Sequence, residues 1–356
     1  MKIAVIFGGK SSEHEIACKS AVTILGWLDE KKYQVIKIGI TKSGNWLKTD
    51  ATLEEIKDMT WSELESNREV LISPNPQKKE IVFFENNELI KEKIDCVFPV
   101  LHGEHGEDGD IQGLLELAGI KYVGPGVLSS ACCMDKSFTK QMALSTGIKM
   151  AKHVLIRKHD FEDGKEKTAK QILEKHNNRF PLFVKACSSG SSVGTSKATD
   201  LYGLIRSLEA SFNYDRKVMV EEMIDGREIE VAVLGNLNPV ATMPGEIITA
   251  GEFYDYDSKY NNPNSKTLLA SGLTKEKIEE FKEAAIKLYK ALDCEGMSRV
   301  DFFLNKDDEI IFNEINTIPG FTGISMYPKL WEIEGLEGPR LVDRLIELAM
   351  ENGNDK

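Results

Sequence analysis

Arg299 and Asp301 stand two residues apart, and so do Glu314 and Asn316. Alternate side chains of a strand share a face, so each pair would project from one side of a sheet. The turn signal Lys306-Asp307-Asp308 lies between them, and an antiparallel hairpin turned there brings the two pairs together. Asp, Glu and Asn offer hard oxygen ligands, suited to Mg²⁺ held between protein and nucleotide phosphates. Arg299 beside them can stabilise charge on a transferring phosphoryl group or a tetrahedral intermediate. A solvated face with an ordinary salt bridge is the plainer alternative. Aspartate and asparagine are poor strand residues, however, and three such oxygens at strand ends favour a site.

A second motif runs from Lys185 through Cys187-Ser188-Ser189-Gly190 to Gly194. Its small residues let backbone N–H groups close on phosphate oxygens, and the lysine supplies a point charge. A linker would seldom sit between two good strands with a lysine at the strand end, so a phosphate-covering loop is the better reading. Gly9-Lys10-Ser11 resembles the end of a P-loop, but Ala4 stands where the first glycine is needed. Nucleotide binding there is rejected. A tight Gly8-Gly9 turn should instead aim Ser12, Glu13 and His14 into the crevice at the strand ends, with a simple surface turn equally open. His102 and His105 lie in a loop after a buried-looking strand and lack the partners of a metal site. Substrate hydrogen bonding or loop orientation suits them better. Residues 251–272 are polar and aromatic, with Phe253, Tyr254, Tyr256, Lys259 and Tyr260 among them. A mobile lid or a packed Ω-loop would both read this way.

These residues need a scaffold, and the chain supplies the signals of an α/β one. Its 356 residues suggest two or three domains. Strands are expected at Ile3–Phe7, 35–40 and 95–101, with helices over 16–28 and 111–118 between and after them. That rhythm predicts a doubly wound parallel sheet with ligand groups at the carboxyl ends of its strands. Beyond a turn-rich boundary at 123–126, helix is expected over 129–145 and 275–292, strands at 181–185, 218–223, 228–234, 299–304 and 309–313, and a closing helix at 341–350. The net charge of −12 argues against nucleic acid and anionic membranes as partners. Six scattered cysteines without C-x-x-C spacing argue for reduced thiols. The apolar run Ile3–Phe7 is too short for a signal-peptide core or a membrane span, so a cytoplasmic compartment is expected.

Taken in order, the segments 7–15, 101–109, 134–136, 190–194, 253–260, 298–301 and 313–322 resemble the D-alanine–D-alanine ligases, a family of ATP-grasp enzymes. The resemblance covers most of the chain. It implies a three-domain ATP-grasp architecture: an N-terminal α/β domain (1–124), a central domain (125–221) and a C-terminal catalytic domain (222–356) with a lid at 251–272. It implies ATP and two Mg²⁺ ions, with Mn²⁺ able to replace them, and an acyl-phosphate route to D-alanyl-D-alanine for peptidoglycan precursors.

The residue roles are likewise those the resemblance implies. Lys136, Lys185, Ser192 and Lys259 would meet the ATP phosphates; Glu221, Glu228 and the backbone of Met223 and Ile224 would surround base and ribose. Asp301, Glu314 and Asn316 would bind metal. Glu13 and His102 would lie at the first substrate, Ser325 and Met326 at the second. Glu13, Ser191 and Tyr260 would form one hydrogen-bonded set, while Arg299 and the Gly320 N–H would stabilise the oxyanion. Lys259-Tyr260 and Met326 favour D-alanine as acceptor over D-lactate and D-serine. The chain departs from the family pattern at Ala186, where proline is common, and at Gly323-Ile324, where Ser-His is common. A homodimer is implied as well. The rivals are a D-alanine–D-serine ligase and a catalytically silent ATP-grasp nucleotide-binding protein.

Overall fold

The computed structural model describes residues 1–190, 193–248 and 266–351. Ser191, Ser192, Lys259 and Tyr260, and residues 251–265 of the expected lid, lie outside the described residues. The remainder of that stretch is not all irregular, since Lys266–Leu269 is a strand paired with Gly245–Ile248.

The first strand, Lys2–Gly8, is buried on both faces, as its continuous apolar run requires. It pairs in parallel with Gln34–Ile40 on one side and Cys96–Leu101 on the other, and Lys121–Tyr122 adds a fourth parallel strand. Ile3, Val5 and Phe7 enter one core with helix His14–Trp27 and the closing helix Gly338–Glu351. Ala4 and Ile6 enter another beneath helix Asp110–Leu117. Helices therefore cover both faces, and the chain reverses direction in the sheet beside Lys2–Gly8.

The sheet also carries an antiparallel part that the expected parallel strands did not include. Trp46–Thr49, Arg68–Ile72, Glu80–Glu85 and Glu88–Lys93 extend the sheet as an antiparallel meander to eight strands. Its last hairpin turns at Asn86-Asn87, both with positive φ (49° and 64°), the backbone a two-residue hairpin turn demands.

A second sheet is antiparallel in the order His153–Arg157, Lys217–Glu222, Leu182–Ala186, Thr195–Ala198. The third is built on Gly226–Leu234, Met297–Asn305 and Ile310–Asn316, with Lys149–Met150 at its far edge. Its apolar face packs on helix Lys275–Ala291 through Phe281, Ala285, Leu288 and Tyr289. The helix expected over 129–145 is broken at Asp135. That carboxylate accepts from the N–H groups of Ser137 and Phe138 and caps a new helix, Lys136–Ala143, while pairing with Lys217. The break sets Lys136 at the first position of its helix. No helix among the described residues is long and apolar enough to cross a membrane.

Candidate active site

The hairpin of the third sheet carries the acidic groups. Register pairs Glu230 with Asp301 and Asp301 with Glu314, so three carboxylates lie abreast on neighbouring strands. Like charges directly opposite one another are unfavourable unless cations intervene. Arg299 supplies one: its guanidinium meets both oxygens of Asp301 at 2.8 and 2.7 Å and Glu230 at 3.2 Å. Burial opposes the Arg299 charge, but Asp301 and Glu230 outweigh it and hold the guanidinium firmly protonated. Lys136 stands 3.6 Å from Glu314, and the Asn316 amide donates to Asp301 at 3.0 Å.

A bulge places these groups. Asp301 pairs with Glu314 but Phe302 pairs with Phe312, leaving Asn313 as an extra residue. Phe312 therefore stays in the core while Glu314 and Asn316 face the cleft. Asn313 accepts from Lys185 Nζ at 3.1 Å, a contact that joins the second sheet to the third.

Lys185, near the end of Leu182–Ala186, also pairs with Glu221 at 2.6 Å; Lys140 takes the other Glu221 oxygen at 2.6 Å. Glu221 is 3% exposed. Burial alone would raise its pKa, yet Lys140 and Lys185 together hold it well below the usual carboxylate range. Lys136 donates to the Ser189 carbonyl at 2.8 Å, at the entry to the small-residue loop. Met223 and Ile224 fall in the link between Lys217–Glu222 and Gly226–Leu234, and Glu228 shares the cleft-side face with Glu230.

On the other side, a cleft with a free volume of about 100 Å³ reaches from Arg299, Glu314 and Asn316 to the N-terminal sheet. Glu13 and His102 line it, as do Gly320, Ser325 and Met326. The Gly8-Gly9 turn, with φ of 86° and 102°, sends Glu13 into this cleft at the start of its helix. The expectation for its neighbours is corrected. Ser12 is exposed, and His14 turns back to the Gly9 carbonyl at 2.8 Å and stacks on Trp61. Ser11 ties the two loops together, accepting from the Glu13 N–H and donating to the His102 carbonyl. His102 Nε2 meets Ser20 Oγ at 3.1 Å, and that hydroxyl accepts the Phe321 N–H at 3.2 Å. Burial lowers the His102 pKa, with the Glu13 charge opposing it. His105 is an exposed loop residue held to Asp110 at 2.6 Å. The Asp108 carboxylate near it is engaged by the N–H groups of His105 and Asp110.

Ser325 precedes helix Met326–Ile333 without capping it; its hydroxyl accepts the Thr322 N–H at 3.0 Å. A Cβ on Gly320 would approach Ser325 Oγ to 2.8 Å, so only glycine keeps that backbone open to the cleft. Sequence reasoning missed Glu107, Lys140 and Glu230. Lys140 repeats Lys136 at helical spacing and Glu230 repeats Glu228 at strand spacing, and both signals were available. Glu107 is a half-buried carboxyl in the same cleft, accepting from Gly103 N–H at 2.7 Å and Ile318 N–H at 3.4 Å.

Comparison with known proteins shows the family. The models "D-ala D-ala ligase N-terminus" and "D-ala D-ala ligase C-terminus" match residues 2–125 and 142–347. The chain is 47% identical to the D-alanine–D-alanine ligase of Caldicellulosiruptor bescii, covering 100% of this chain and 97% of that one. It is also 47% identical to the enzyme of that name from Clostridium novyi, with 99% of both covered. Among solved structures, the VanG D-Ala:D-Ser ligase of Enterococcus faecalis matches with TM-score 0.88 and 40% identity over 98% of this chain and 99% of that one. The D-alanine–D-alanine ligase of Coxiella burnetii matches with TM-score 0.86 and 38% identity over 100% and 96%. With both family models matched and full-length identity near one half, the chain belongs to the D-ala D-ala ligase family of ATP-dependent ligases.

Proposed function

We propose that this chain couples ATP cleavage to the joining of two D-alanines, giving D-alanyl-D-alanine for peptidoglycan precursors. The observation that carries the reading is one continuous cleft. It has Glu13 and His102 at one end and Glu230, Arg299, Glu314 and Asn316 at the other, where Lys136 stands 3.6 Å from Glu314 and Lys185 holds the neighbouring Asn313. Glu13 would take the ammonium of the first D-alanine, leaving its carboxylate directed at Arg299. A carboxylate oxygen attacks the γ-phosphorus, the bond to the β-phosphate oxygen breaks, and ADP leaves. Lys136, Lys185 and Lys259 neutralise the phosphates, with Ser192 in the covering loop; Glu228 and the Met223–Ile224 backbone flank base and ribose. Glu221, with a lysine on each oxygen, would act through Lys185 rather than touch the base.

The amine of the second D-alanine then attacks the acyl carbon. Glu13, Ser191 and Tyr260 take up its proton, Arg299 and the Gly320 N–H hold the oxyanion, and phosphate departs. Ser325 and the free N–H groups at the start of Met326–Ile333 suit the acceptor's carboxylate. The donor set of Asp301, Glu314 and Asn316 fits hard divalent cations, two Mg²⁺ in this reading, because a row of acids with one guanidinium leaves negative charge to be neutralised. Such ions would draw charge from the phosphate oxygens. A homodimer is proposed from family likeness, and a sedimentation mass of one chain would reject it.

D-Serine is the second reading, favoured by the likeness to the VanG D-Ala:D-Ser ligase. Met326, buried at 4%, lines the acceptor end without a charge to hold a hydroxyl, which supports D-alanine. The decisive assay is phosphate release from ATP with D-alanine, D-serine and D-lactate, alone and paired, with products identified by mass. Release with D-alanine alone, yielding the homodipeptide, is expected. Preference for the mixed dipeptide would reassign the acceptor, and no release in any pairing would overturn the enzyme reading.

A further inference from the structure

Three charged groups form a line beneath the nucleotide end of the cleft: Lys140, Glu221 and Lys185, each contact 2.6 Å long. Lys140 is 2% exposed, as deep as Glu221 at 3%. A buried lysine is unfavourable unless paired, and one lysine already neutralises Glu221. The second cation therefore calls for an explanation.

Its placement gives one. Lys140 sits on the inner side of helix Lys136–Ala143, four residues after Lys136, and among the described residues its ion-pair partner is Glu221. Lys185 instead reaches across the sheet junction to Asn313, the residue before the cleft-lining Glu314, and its side chain is 14% exposed. When a polyphosphate arrives, Lys185 gains by turning toward it. If Lys185 were the only partner of Glu221, that movement would strand a bare carboxylate in the interior. With Lys140 in place, the carboxylate keeps a full counter-charge whichever way Lys185 points.

We propose that Lys140 is a positioning residue of the nucleotide site: the permanent counter-ion of Glu221, which leaves Lys185 free to serve a nucleotide polyphosphate. This rests on the nucleotide reading given above for Lys185.

The test is Lys140→Met, which keeps the length of the stem and removes the charge, beside Lys140→Arg. Lys140→Met is expected to raise the KM for ATP about tenfold, with kcat and the KM for D-alanine within twofold of wild type. ATP and ADP should bind more weakly and adenosine unchanged, because only phosphates call on Lys185. Lys140→Arg should recover most of the ATP affinity. Equal weakening of adenosine and ATP would overturn the proposal, since a general packing role acts on both; so would an unchanged KM for ATP. If Lys140→Met does not fold, Lys140→Gln carries the test: the KM for ATP should again rise about tenfold with adenosine binding unchanged, and an unchanged KM for ATP would overturn the idea. Failure of wild-type protein to bind ATP would show separately, before any variant, and would remove the nucleotide reading together with this inference.

Discussion

Arg299→Ala is expected to lower kcat by about 10³-fold and to destabilise the protein by about 3–5 kcal/mol. Both effects have one origin. The guanidinium lies between Glu230 and Asp301, which are 6% and 8% exposed and opposite each other in register. Truncation leaves two buried carboxylates facing without the group that bridges them, and breaking a buried ion pair from one side costs more than the pair's own net worth. The catalytic loss comes from the same charge, which would stabilise the oxyanion only as it develops. Arg299→Lys separates the two contributions. An ammonium can neutralise but cannot meet Asp301 at both oxygens while reaching Glu230. That variant should recover most of the stability in urea unfolding and little of the turnover. Wild-type turnover in the alanine variant, with a folded protein, would remove Arg299 from the chemistry.

The sequence made some parts of this site legible for physical reasons and hid others. Arg299, Asp301, Glu314 and Asn316 were readable because strand alternation is a local rule. Their positions follow from counting residues along two strands. Asn313 escaped notice because its position depends on a bulge, a misfit between two strands that neither reveals alone. The same limit explains the first sheet. The parallel strands announce themselves as continuous apolar runs, whereas Glu80–Glu85 and the edge strand Glu88–Lys93 are short, partly exposed and of mixed composition. Lys140 and Glu230 carry a spacing signal, but their burial, and so their part in the site, follows only once tertiary packing closes over them. His14 was misplaced because its partner Trp61 is distant in sequence, and nothing local tells a histidine that stacks inward from one that faces a ligand.

Glu107 gives the other large effect, and it is one of pH. Burial, helped by the charge of Glu13, pushes its pKa from 4.5 up to about 8 against the opposing N–H groups of Gly103 and Ile318. The folded, ligand-free protein therefore holds a proton there that the unfolded chain has lost. That preference favours the folded state fully below about pH 4.5 and is lost as the pH climbs through about 8. Binding should depend on pH in the opposite sense. An ammonium entering beside Glu13 is best received when Glu107 is ionised too, and at pH 6 about one molecule in a hundred is. The apparent affinity for the first D-alanine should thus rise on the order of a hundredfold from pH 6 to above pH 8. Glu107→Gln should flatten both curves: thermal stability without ligand should lose its decline between pH 5 and 8, and the D-alanine KM its steep dependence. The amide retains an oxygen for the Gly103 N–H, so a merely structural role would leave the slopes in place. Steady-state kinetics with D-alanine varied at saturating ATP, from pH 6 to 9, measures the second slope directly. A variant that keeps the wild-type slope would assign it to another group, and Glu107 would then be only the tie between the Gly103 turn and the Ile318 loop.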